Sequence, residues 1–128
     1  MLPIARAQWI EAETSELVAT LPDLPIERLA ALAVALRELA AATAGAPART
    51  AELLARVVDQ YRDGRAILEG WAVVASAAHT LARALVVPAD AALAAVQFEL
   101  ETLLPAVAPP GPRAQSPDVP VASLYRRT

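Results

Sequence analysis

Residues 51–86 read AELLARVVDQYRDGRAILEGWAVVASAAHTLARALV, and the spacing of their apolar positions decides the fold. Leu54, Val57, Tyr61, Gly64, Leu68, Trp71, Ala75, Ala78, Ala82 and Leu85 follow one another at intervals of three and four. That is the period of one helix face, whereas a half-buried strand alternates at two. The register runs without a slip through Arg62-Asp63-Gly64-Arg65, where Asp-Gly on its own would signal a turn. The spacing therefore predicts one long helix from about Ala51 to Val86, about 50 Å long. Glu52 with Arg56, and Arg65 with Glu69, stand four apart and support its outer face.

Outward from that segment the same period recurs. Upstream, Ala7, Ile10, Thr14, Leu17 and Leu21 form a stripe, with Glu11, Glu13 and Glu16 on the wet side, predicting a helix from about Ile4 to Thr20. Pro22 and Pro25 bracket a turn in which Asp23 is the expected N-cap. Leu29, Leu32, Leu36 and Leu39, widened by Ala33 and Ala40, predict a second helix over about Pro25–Ala44. Gly45 is placed to end it in a left-handed conformation, and Thr50 to cap the next helix. Downstream, Pro88 opens a last helix with Asp90 in its first turn. Leu93, Val96, Leu100 and Leu103 mark its stripe, and Pro105 closes it. The expected fold is all-α: a four-helix bundle, or paired helical hairpins around one long central helix. Residues 1–105 form the bundle and residues 106–128 a Pro-rich linker and C-terminal peptide. A seam as long as Leu54–Leu85 outruns the cover available in one chain, which predicts a homodimer or docking on a partner.

Composition agrees with helices. Hydrophobic residues make up 56% of the 128, yet only 4% are aromatic, so the apolar content is mostly Ala, Leu and Val. Ala and Leu lead the helix scale, whereas strands favour aromatic and β-branched residues. The net charge is −3 and every fixed cation is an arginine, so the body carries no basic stripe for nucleic acid. With no cysteine, disulfides, thiolate metal sites and cysteine nucleophiles are excluded together. The start lacks a signal peptide's basic region and long apolar core. Gly70–Val87 is the most apolar window, but His79, Arg83 and its many alanines argue against a membrane span. A cytoplasmic protein is expected, without membrane or nucleic-acid partners.

Catalytic chemistry finds little support. His79 is the only histidine, so no pair of Glu-x-x-His ligand sets exists and no metal site is expected. No nucleophile elbow or glycine-rich phosphate loop occurs. Glu99 and Glu101 lie on different sides of their helix. The expectation is a protein that is not an enzyme and carries no cofactor. Trp9, Tyr61, Trp71 and Phe98 sit on or beside helix stripes and read as core. His79, next to Ala78 on the flank of the seam, reads first as a packed structural histidine.

Two short stretches resemble known families. AAHTLARAL (residues 77–85) is similar to the phosphoacceptor helix of histidine phosphotransfer domains, themselves four-helix bundles. His79, Thr80 and Leu81 fit that pattern, while Ala82 and Arg83 stand where the family has Lys and Gly. The resemblance implies a signalling bundle with His79 as phosphoacceptor. The tail, PDVPVASLYRRT after a Pro/Gly-rich spacer, resembles the C-terminal targeting peptides of encapsulin cargo proteins. Val121, Ser123, Leu124, Arg126 and Arg127 match in order; Ala122 replaces a glycine and Tyr125 is inserted before the arginines. This implies a non-catalytic cargo or adaptor that docks on a larger protein assembly through Val121, Ser123, Leu124, Tyr125, Arg126 and Arg127. A segment folded back on the body's own apolar surface, and a disordered terminus on a small subunit of a larger complex, remain as the other readings of the tail.

Overall fold

The computed structural model describes residues 2–66 and 68–104. Among them the chain is all-helical, without a strand: α1 (Pro3–Leu17), α2 (Ile26–Ala42), α3 (Gly45–Arg62), α4 (Trp71–Ala84) and α5 (Asp90–Leu103). Short 3₁₀ turns occupy Val18–Thr20 and Leu68–Gly70. The linker and peptide, residues 106–128, lie outside the described residues, as do Met1, Ile67 and Pro105.

The predicted stripes form the core. Ala7, Ile10, Thr14 and Leu17 of α1 are buried, as are Leu29, Leu32, Ala33, Leu36 and Leu39 of α2 and Leu93, Val96 and Leu100 of α5. Fully burying one such leucine is worth about 1.5–3 kcal/mol over leaving it exposed. The centre is α3, which packs against α2, α4 and α5, while α1 closes the bundle by lying across α2 and α4. Its burial reflects that position: Ala51, Leu53, Leu54, Ala55, Val57, Val58 and Tyr61 are all inside.

The long central helix is not present. It divides into α3 and α4, and the break is a glycine-terminated helix end. Gly64 has φ +71°, its N–H donates to the Tyr61 carbonyl at 3.1 Å, and the Arg65 N–H donates to the Gln60 carbonyl at 2.8 Å. These are the paired bonds of a Schellman motif, which satisfies carbonyls that the helix leaves open. The unbroken register was fortuitous, because two of the positions carrying it across the break, Gly64 and Leu68, face solvent. Folding at this break turns α4 back against α3. Leu54, Val57, Tyr61, Trp71, Ala78 and Ala82 are thereby buried within one chain, so the uncovered seam that argued for self-association does not exist.

Smaller departures have local causes. Asp23 does not cap α2; its N-cap position is Pro25, which makes no side-chain bond. Gly45 does adopt φ +68°, but it opens α3. Thr50 consequently lies one turn inside that helix, buried, with its hydroxyl donating 2.8 Å to the Ala46 carbonyl. Pro47, which has no N–H to lose, is tolerated in the first turn. At the other end Leu104 is extended (ψ 140°), as the residue before a proline prefers to be.

Candidate functional site

α1 and α4 run side by side, and the polar groups between them define the site. At its base the indole of Trp71 is wholly buried and stands edge-on to Tyr61, with ring centroids 5.0 Å apart. Its Nε1–H donates to the Thr14 carbonyl at 2.9 Å. That carbonyl is free to accept because α1 gives way to a 3₁₀ turn at Val18. Farther along, His79 Nδ1 is hydrogen-bonded to the Glu11 carboxylate. The two residues lie 68 positions apart in sequence and join the helices at the surface.

The structure corrects the first reading of His79. Its side chain is 57% exposed, so the imidazole on the flank of the seam is tethered through one nitrogen but is not packed away from solvent. Among the described residues Nε2 has no hydrogen-bond partner. The imidazole borders a groove of about 240 Å³ lined by Gln8, Glu11, Ala82, Arg83, Val86 and Val87. Helical spacing builds this wall: 79, 83 and 86 fall on one face of α4 and its extension, as 8 and 11 do on α1. The groove passes Gln8 into an apolar surface formed by Leu2, Pro3, Ile4 and Leu85. Leu2, Val86 and Val87 are 61–77% exposed, so this end of the molecule presents large apolar side chains to solvent. The chemistry on offer is an oriented imidazole with a carboxylate behind it and a guanidinium one turn away.

Two aromatics assigned to the core lie outside it. Phe98 on α5 is 70% exposed and Trp9 on α1 is 40% exposed, the latter beside the Arg6–Glu38 ion pair between α1 and α2. Tyr61 and Trp71 are buried as expected. Elsewhere, Arg28 holds Glu13 with two hydrogen bonds of 2.9 and 2.7 Å, and those bonds keep the Glu13 carboxyl below the usual glutamate range against the opposing effect of burial.

Sequence reasoning placed Glu11 on the wet side of its helix and did not pair it with His79. It did not foresee Gln8 or the Leu2–Val87 surface either. The signal for Glu11 was present, since it lies four residues from Ala7 and one from Ile10, at the edge of the buried stripe. The tail residues Val121, Ser123, Leu124, Tyr125, Arg126 and Arg127 lie outside the described residues. No group of three or more potential metal ligands occurs among the described residues, and no helix there is long and apolar enough to cross a membrane. No family model, curated protein or solved structure matches the chain.

Proposed function

We propose that this protein is a non-catalytic interaction or assembly protein of the cytoplasm, a helical body addressed to a larger protein assembly by its C-terminal peptide. One observation carries the reading. The described residues bury a core that runs from Ala7 to Leu100, and beyond them the sequence turns apolar again at Val119. An apolar segment set beyond a proline-rich spacer and carrying two arginines has the composition of a docking peptide. In this reading Val121, Leu124 and Tyr125 supply the apolar contacts, Ser123 a hydrogen bond, and Arg126 and Arg127 charge-assisted ones. The similarity to encapsulin cargo peptides supports a shell as the assembly.

The test uses an inert fluorescent protein carrying residues 106–128, passed through lysate of the source organism and sedimented. The intact tail is expected to carry fluorescence into a fast-sedimenting fraction, and the Leu124→Asp, Tyr125→Asp bait is expected to stay behind. Equal behaviour of the two baits removes the reading.

The exposure of His79 favours a second reading, in which the bundle is a phosphotransfer module. Glu11 orients the imidazole through Nδ1 and leaves Nε2 available for a phosphoryl group. Incubation with a cognate kinase and labelled ATP tests it. Label that survives base, is lost in acid and is absent from His79→Gln supports this role, and unlabelled wild-type protein removes it.

A further inference from the structure

A second groove lies at the opposite end of the bundle from Leu2 and Val87. It has a volume of about 430 Å³ and is walled by Leu24, Ile26, Ala66 and Leu68, with Pro22, Asp23, Tyr61, Arg62 and Gly64 completing it. Ile26 is 62% exposed. Asp23 on its rim forms no ion pair among the described residues, nor do Glu27 and Glu69, which adjoin Ile26 and Leu68 in sequence. The lining carries one acid, Asp23, and one arginine, Arg62, which is 3.7 Å from Asp59; Asp23 is the charged group of the lining that forms no ion pair among the described residues. The groove at the other end carries Arg83 and the bonded pair His79 and Glu11.

The chain itself contains a matching ligand. Residues 2–104 hold thirteen of the fourteen acidic side chains against eight arginines, whereas residues 105–128 hold three arginines and the single acid Asp118. The body is acidic and the tail basic. The described chain also ends beside this groove: a Cβ at Gly70, two residues past Leu68, would lie 3.1 Å from a Leu103 methyl. From there the spacer of residues 105–118, at about 3.1 Å per residue, spans up to about 40 Å. That is several times the width of a helix, ample for the chain to turn back.

We propose that residues 119–127, VPVASLYRR, dock within the same chain into the groove between Leu24, Ile26 and Leu68. Val121, Leu124 and Tyr125 cover the apolar floor, and Arg126 and Arg127 meet Asp23, Glu27 and Glu69. The body then shields its own docking peptide until a partner competes for it; that last consequence rests on the function proposed above, whereas the intramolecular contact does not.

The test replaces Tyr125 of the full chain by the photo-crosslinker p-benzoyl-phenylalanine and irradiates the purified protein in dilute solution. Peptide mapping by mass spectrometry is expected to find adducts on Leu24, Ile26 or Leu68 in molecules of monomer mass. Asp23→Arg with Glu27→Arg, both at exposed positions, is expected to lower their yield at least threefold, and 1 M salt to do the same by screening. Adducts between heavy- and light-isotope copies would overturn the proposal in favour of a second copy as occupant. Adducts on Leu2, Val86 or Val87 would move the tail to the other groove, and an absence of body adducts would leave it undocked; either overturns the proposal. Failure here with successful capture by the fluorescent bait removes only the intramolecular contact, and the converse result removes only the assembly reading.

Discussion

The α2–α3 pair and the α1–α4 pair bury similar stripes by different means. The first packs α2, with Leu29, Leu32, Leu36 and Leu39 buried, against α3, with the Arg37–Asp59 ion pair (2.6 Å) at its edge. Its cohesion is mostly non-directional burial between helices adjacent in sequence, which close at small entropic cost. The second packs α1, with Ala7, Ile10 and Thr14 buried, against α4, whose buried residues are Trp71, Val74, Leu81 and four alanines, and fastens them with the Trp71–Thr14 and His79–Glu11 bonds. Its alanines bury little area each, so one large indole and its single hydrogen bond bear an unusual share. A leucine-rich interface spreads its stability over many atoms, and an alanine-rich one concentrates it.

The sharpest way to break this comparison is Trp71→Ala, expected to cost about 3–5 kcal/mol in urea unfolding. Trp71→Phe should recover most of that and leave a deficit near 1 kcal/mol for the lost bond to Thr14. Leu36→Ala on the other pair is expected to cost about 2–4 kcal/mol. If it costs more than Trp71→Ala, stability is not concentrated at the indole. Gly70→Ala probes the junction of the two pairs, where a Cβ would lie 2.6 Å from the Tyr61 hydroxyl and 3.1 Å from Leu103. Tyr61 is pinned against Trp71, so the expected loss is about 1–3 kcal/mol.

The same junction makes a pH prediction. Burial, with a smaller contribution from the Glu69 charge, pushes the Tyr61 phenol up to about 12. In the unfolded chain it ionises near 10. The folded state therefore holds the proton more tightly, and the corresponding stability is complete below about pH 10 and lost as pH rises toward 12. Phenolate absorbance of Tyr125→Phe, which isolates Tyr61, should rise together with unfolding rather than near pH 10. The smallest effect belongs to His79→Gln. With the imidazole this exposed, the change should stay under about 1 kcal/mol; a loss of 2 kcal/mol or more would show that this bond, and not Trp71, anchors α1.

Much of the bundle was legible because amphipathic stripes are a local property. Ala7–Ile10–Thr14–Leu17, Leu29–Leu32–Leu36–Leu39 and Leu93–Val96–Leu100 needed only the helical period to be assigned to the core, and burial followed. The central segment was misread because periodicity cannot distinguish a continuous helix from two helices whose phases agree. Asp63-Gly64 was the correct local signal and outweighed it, since a glycine in the left-handed region ends a helix whatever the flanking pattern. His79 was misplaced for a related reason. Its neighbour Ala78 is buried, but one position around a helix turns a side chain by about 100°, enough to carry a residue on the flank of the seam into solvent. Trp9 and Phe98 show the limit of residue type: hydrophobicity favours burial but does not require it.

By itself the sequence determined helix content, the buried face of each helix, the exclusion of cysteine chemistry and the opposed charges of body and tail. These follow from propensity, period and composition, which act over a few residues or need no geometry. Only the tertiary structure decided that the central stretch folds back on itself and covers its own seam. It alone joined His79 to Glu11 and Trp71 to Thr14, and left grooves of mixed polarity at opposite ends of the bundle. Those outcomes depend on which helices become neighbours, and that is set by competing ways of burying the same stripes, a balance no single window of sequence contains.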